Sequence, residues 1–243
     1  MIKTTHRLPK IWEDFLLPYF NLDGFYEETN DFILKQPAII PKKEQIFNVF
    51  NYMPPSEVRC VLYGEDPYPR LSSACGIAFW DKEIKSWNDK TNGNSLKNIL
   101  KGLLVAQGLA DYNTKIAECR LIAETNNIKS PARLFEHWLA QGVLLINASL
   151  TFSNHRLKLQ HLKFWQPFHK SLITALNDGP KPYYILWGKK AQNWENEILK
   201  SVDDERKIIK QGHPTFIHQF LKADEPQYSP FTQLAETTGI KWI

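Results

Sequence analysis

The sequence predicts an α/β fold: a single three-layer domain with a central four-stranded parallel sheet flanked by helices. Three observations lead there. Four short runs, rich in β-branched and aromatic residues, read as strands covered on both faces. Amphipathic segments with helical spacing lie between them. Each run stops at a loop carrying a polar group: Asp66, Asn147, Lys189 and His213 in turn. In open α/β sheets such carboxyl ends gather on one rim, so these four residues are expected to share a pocket.

Residues 10–35 mix aromatics with acids (Trp12, Phe15, Leu16, Phe20, Phe25, Tyr26) and read as part of an outer helical layer over 1–40. Pro41 to Glu44 reads as a helix start, with the proline near the first turn. Ile46, Phe47 and Phe50 then predict a short amphipathic helix. Val58 to Tyr63 is the first strand, stopping at Gly64-Glu-Asp-Pro-Tyr-Pro69. Ser95 to Leu109 places Leu96, Ile99, Leu100, Leu103 and Leu104 on one helical stripe, with Ser95 at the N-cap position.

A helix over 131–141 carries Leu134 and Trp138 four apart. Gly142 to Ile146 is the second strand and ends at Asn147. Phe164 to Asn177 forms a helix with Trp165, Phe168, Leu172 and Leu176 inward, stopping before Gly179-Pro180. Tyr183 to Trp187 is the third strand, ending at Gly188. A helix from about Ala191 to Leu199 precedes the fourth strand, Arg206 to Lys210, which leads into Gly212-His-Pro214.

Composition narrows the function. The 243 residues are 43% hydrophobic and 23% charged, which suits a folded core and excludes a disordered chain. Thirty basic against 26 acidic residues leave a net charge of +4, which permits a polyanionic partner without requiring one. Eight Trp and 13% aromatics supply a core and some rings able to stack on a planar ligand. No apolar run approaches the roughly 18 residues of a membrane span. The segment MIKTTHRLPKIWEDF has no apolar signal core. Cys60, Cys75 and Cys119 are odd in number and not spaced as metal ligands, which argues against disulfides, zinc and iron–sulfur centres. The expectation is a cytoplasmic, reduced, monomeric protein with no cofactor, metal or membrane partner. Neither GxGxxG nor GxxxxGK[ST] occurs, which disfavours a nucleotide-dependent oxidoreductase. Without repeats, low-complexity tracts or a Gly/Ser linker, residues 1–243 read as one domain.

The chemistry-bearing motifs each have a plain alternative. In the Gly64 to Pro69 loop, Gly64 lets backbone approach a ligand, and Asp66 can orient a water or stabilise a cation. The same residue types also make ordinary turns. In Gly212-His-Pro-Thr-Phe-Ile217, a neutral His213 can donate to an oxygen that gains charge as a bond breaks. A lone His is more often a surface or capping residue. Asn147 offers a paired donor and acceptor that can read a base edge, or it can serve the backbone at a strand end. Phe79 can stack on a ring, although most Phe residues are core. Lys189-Lys190 is by itself a solvated charge pair.

In joint order and spacing the motifs resemble family 1 uracil-DNA glycosylase, a monofunctional base-excision repair enzyme. Val58 to Tyr68 is similar to that family's strand into its Gly-Gln-Asp-Pro-Tyr-His loop. Cys75 to Phe79 resembles its Gly-Leu-Ala-Phe element, and Asn94-Ser-Leu-Lys-Asn98 its Pro-Ser-Leu-Lys-Asn helix start. GVLLINASLT from Gly142, Ile185-Leu-Trp-Gly188 and His213-Pro-Thr follow in the same order. The resemblance implies that Asp66 positions the hydrolytic water and that His213 bonds uracil O2. It implies that Asn147 reads N3 and O4, that Tyr68 excludes a thymine methyl, and that Phe79 stacks on the base. Ser95 and Thr215 would grip phosphates, and Ile217 falls at the position of the wedge that fills the gap left by a flipped base. The partner implied is uracil-containing DNA, single- or double-stranded.

Four positions depart from the family. Glu65 stands in the uracil-binding set where the family has Gln, so a second carboxylate lies beside Asp66. Pro69 replaces His, Phe216 replaces a Pro and gives a bulkier wedge, and Lys189 replaces a Ser at the DNA-gripping turn. These changes leave two other readings open: a non-catalytic binder or sensor of uracil-containing or modified DNA, and a glycosylase with shifted base specificity.

Overall fold

The computed structural model describes residues 6–89 and 93–243. Its centre is a four-stranded sheet in the order β2-β1-β3-β4, parallel throughout. The strands are β1 (Cys60–Gly64), β2 (Val143–Asn147), β3 (Tyr183–Trp187) and β4 (Ile208–Gln211). Every residue of β1 and β2 is buried, as uninterrupted apolar runs require when helices cover both faces. β4 is an edge strand, and its Lys210 is exposed.

Among the described residues the α-helices in chain order are α1 (Lys10–Leu16), α2 (Leu22–Leu34), α3 (Asn94–Ala106), α4 (Ile116–Thr125), α5 (Pro131–Leu139), α6 (Lys158–Asp178), α7 (Gly188–Gln192), α8 (Glu195–Ile198), α9 (Ile217–Phe220) and α10 (Pro230–Thr238). Strand periodicity assigns two of the faces. Leu62 pairs with Ile185, so Tyr63 and Trp187 point to opposite sides of the sheet. Tyr63 stacks on Trp194 and meets His169 of α6. Trp187 meets Phe220 of α9 and Phe231 of α10.

Each face holds an aromatic cluster, and only the Trp242 indole N–H among the rings named below is buried without a partner among the described residues. Beside α6, Trp12, Phe25, Phe50, Trp165 and Phe168 interlock, and Trp165 Nε1 donates to Thr151 Oγ1 at 2.7 Å. Beside α10, Trp138, Phe231 and Trp242 pack together, and Trp138 Nε1 donates to the Trp242 carbonyl at 2.8 Å. Buried rings contribute large apolar area, and each indole N–H needs such a partner.

The four strands and the three longest expected helices lie where the sequence places them, with shifted ends. α6 begins at Lys158, six residues before the expected start, and Pro167 inside it faces solvent. The amphipathic helix expected around Ile46, Phe47 and Phe50 is instead two short 3-10 turns, Lys43–Gln45 and Asn48–Asn51. The run is too short to repay helix nucleation, and i→i+3 bonds such as Phe50 N to Phe47 O serve it. The helix expected over 191–199 is split into α7 and α8, and Gln192 at the end of α7 turns its side-chain amide back to the Leu186 and Gln211 carbonyls.

Among the described residues no helix is long and apolar enough to cross a membrane, and no group of three or more His, Cys, Asp or Glu could hold a metal ion. All three cysteines are free and buried.

Leu62 lies wholly buried in β1, between two paired strands. Leu62→Ala is expected to cost about 2–5 kcal/mol in urea unfolding, the range for a buried Leu truncation. A cost under about 1 kcal/mol would contradict this packing.

Candidate active site

The site begins with the β1–β2 register. Gly64 pairs with Asn147, and the pairing continues past both strands: Ala148 N donates to Gly64 O and Ser149 N to Glu65 O. This places Glu65 and Asp66 beside the chain that leaves β2. A Cβ on Gly64 would collide with Asn147 Oδ1 and lie 2.9 Å from Ala78 Cβ, so a side chain is excluded there. Asn147 is 7% exposed, and among the described residues no hydrogen bond reaches its side-chain amide. A nearly buried amide with free donor and acceptor is poised for a ligand that supplies both partners.

The segment carrying Phe79 lies alongside. Ala78 N donates to Leu145 O, and Tyr68 Oη donates to the Phe79 carbonyl at 3.2 Å. Arg70 holds the segment from outside, pairing with Asp81 at 2.8 Å. Phe79 has φ 65°, a left-handed conformation that bulky residues rarely adopt. Its half-buried ring rests edge-on against Trp187 at 5.3 Å and lies 6.4 Å from the His213 ring.

His213 follows β4. Its Cβ lies so close to Gly188, at φ +78°, that a Cβ there would come within 2.6 Å. Thr215 N–H donates to His213 Nδ1 at 3.1 Å, so Nδ1 is the unprotonated nitrogen and Nε2 carries the hydrogen. Burial lowers the His213 pKa below 6.5, against a smaller upward pull from Glu65. The ring is therefore a neutral Nε2–H donor at pH 7.

Asp66, with a side chain 19% exposed, forms an ion pair with Lys158 through Oδ2 at 3.0 Å. Burial raises its pKa above 3.8, Lys158 opposes that, and Glu65 adds to it. A cavity of about 220 Å³ lies on the α6 side of Asp66, lined also by Ser149, His155 and Lys158. A larger one of about 470 Å³ shares Glu65, Leu159, Leu162 and Lys190 with it. Neither is lined by Phe79, Asn147 or His213.

The outer residues separate into joined and isolated ones. Ser95 is not an N-cap. Gly93 occupies that position, and the Ser95 hydroxyl meets Thr215 Oγ1 at 2.6 Å. Asn98 Nδ2 donates to the Pro214 carbonyl at 2.6 Å, a second tie between α3 and the His213 loop. Phe216 is 50% exposed at the tip, whereas Ile217 is half-buried against the core at the start of α9. Lys189 is exposed and makes no ion pair among the described residues. Its neighbour Lys190 reaches Glu65 at 3.6 Å. Sequence reasoning missed Lys158 and took Lys190 only as part of a solvated pair. It also did not anticipate that Trp187 backs Phe79.

A free buried amide, an aromatic ring held at positive φ and a neutral imidazole thus lie at the carboxyl ends of the sheet, where the Asp66 carboxylate also lies. The chain belongs to the uracil DNA glycosylase superfamily, whose family model matches residues 50–233. A uracil-DNA glycosylase from Lachnoclostridium phytofermentans is 31% identical over 216 residues, covering 86% of this chain and 80% of that protein. One from Fusobacterium nucleatum is 32% identical over 209 residues, covering 84% and 80%. The wild-type UNG crystal structure from Nitratifractor salsuginis superposes with TM-score 0.67 at 25% identity, covering 87% of this chain and 86% of that one.

Nitrogen-15 NMR is expected to find His213 with hydrogen on Nε2 and a bare Nδ1, titrating below 6.5. Hydrogen on Nδ1 at pH 7 would contradict the assignment.

Proposed function

We propose that this chain is a metal-independent, monofunctional uracil-DNA glycosylase of the family 1 type, acting as a monomer in the cytoplasm. Residues 1–243 serve as one unit, with an outer helical layer over 6–40; residues 1–5 of the expected layer lie outside the described residues. The observation that carries the reading is the unpartnered Asn147 amide, buried beside Gly64, which Ala78, the residue before Phe79, also touches.

Uracil presents N3–H and O4 on one edge, a donor beside an acceptor, and a single amide complements both. Cytosine presents the reverse pattern at those two atoms and would leave buried groups unpaired, the strongest form of base discrimination. Tyr68, tied to the Phe79 carbonyl, closes the side where a thymine methyl would enter. Glu65 borders the same set.

The base must leave the helix stack before this slot can hold it. Phe216, the exposed apolar tip, enters the vacated gap, and Ile217 supports it from below. Ser95 and Thr215, already joined, face one phosphate together, while Lys189 offers a free ammonium to the backbone.

Cleavage proceeds by hydrolysis. The N1–C1′ bond breaks and its electron pair leaves with uracil, placing negative charge on O2. His213 Nε2–H stabilises that charge without giving up its proton. Positive charge develops on the deoxyribose, and the Asp66 carboxylate offsets it. Asp66 orients the water that adds to C1′ and accepts its proton, leaving uracil and an abasic site. The carboxylate must be ionised, so the rate falls as pH drops through the raised Asp66 value.

Release of uracil from a uracil-containing oligonucleotide is the direct test. Asp66→Asn is expected to slow single-turnover release about 10²–10³-fold, the scale for losing one transition-state charge contact, with DNA affinity nearly unchanged. Wild-type protein that binds this DNA without turnover would favour the sensor reading instead. Affinity is also expected to fall linearly on a log–log plot against salt, because phosphate contacts release counterions. A flat salt response would contradict the phosphate grip.

A further inference from the structure

Lys158 lies at the first residue of α6 and reaches across to two acids of the β1 loop. Its Nζ is 3.0 Å from Glu65 Oε1 and 3.0 Å from Asp66 Oδ2. Lys190, from α7, approaches the same Glu65 oxygen at 3.6 Å. The cluster holds two carboxylates and two ammonium groups, so its formal charge cancels. Other charged or titratable groups near it include His155 and Arg156 on the turn before α6, Lys163 of α6, Glu197 of α8, and His213 on the loop after β4.

We propose that Lys158 is the positioning residue of the cleavage site: it fixes the Asp66 carboxylate through Oδ2, keeps it ionised, and neutralises the charge that Glu65 introduces beside it. The proposal rests on the glycosylase reading and extends it to a residue outside the base slot.

The physical need arises from Glu65. A carboxylate next to the partly buried Asp66 makes ionising Asp66 harder, and a cation between the two offsets this. It also adds negative charge on the side of His213, where the departing base gains its own. An ammonium equidistant from both acids answers each problem at once. By engaging Oδ2 it leaves Oδ1 for the water. Burial alone would lower the Lys158 pKa, but its bonds to Glu65 and Asp66 outweigh that and raise it above 10.5, so the cation persists at every working pH. One-third of the side chain is exposed, so it can be replaced without opening the core.

Two readouts test this on the intact chain. Carbon-13 NMR follows the Asp66 carboxyl through its titration, and single-turnover uracil release from single-stranded DNA is measured across pH. Lys158→Gln is expected to raise the Asp66 midpoint by about one unit, a tenfold change in its proton affinity, and to move the acid limb of release upward with it. Lys158→Arg restores both. Glu65→Gln shifts the midpoint the opposite way, downward, because it removes the like charge. An unmoved Asp66 midpoint in Lys158→Gln overturns the proposal, as does a moved midpoint with an unmoved acid limb. If wild-type protein releases no uracil, the glycosylase reading fails, and the NMR titration still decides whether Lys158 holds Asp66.

Discussion

The site is built on one close contact, the Asn147 amide lying against the bare Cα of Gly64. A parallel register brings these residues level, and only the absence of a side chain on one admits the side chain of the other. The same ladder runs one step further through the Gly64 and Glu65 carbonyls, and so it also sets where Asp66 departs. A slip of the register by one residue would turn Asn147 to the opposite face. The places of Asn147 and Asp66 are thus fixed by the same few backbone hydrogen bonds.

Around this contact the charges are balanced. His213 is neutral because burial and the Thr215 N–H leave its proton on Nε2. Glu65 and Asp66 are matched by Lys158 and Lys190. In the mechanism proposed above, a neutral donor and a compensated carboxylate would need little reorganisation as the base became anionic and the sugar cationic.

Much of this was legible in the sequence because strands covered on both faces carry no polar interruption. Cys60 to Gly64, Val143 to Asn147 and Tyr183 to Trp187 stand out for that reason. Asp66 and Asn147 could be named as candidates from their places at two of those ends, and His213 from its place after β4. What stayed hidden depends on long-range contact. Lys158 looks like any surface lysine until α6 folds back over the β1 loop. Ser95 has the local signature of a cap, but its hydroxyl is taken by Thr215, 120 residues away. Helix α4 buries only Cys119 and Ala123, too few to leave a stripe in the sequence. The exposed tip at Phe216 rather than Ile217 follows from the start of α9, which local pattern did not reveal.

The most direct measurement is a crystal structure of the protein soaked with free uracil. The ring is expected against Phe79, with N3 and O4 on the Asn147 amide and O2 within hydrogen-bond distance of His213 Nε2. A ring bound elsewhere, or one in this slot that leaves the Asn147 amide without a contact, would contradict the account.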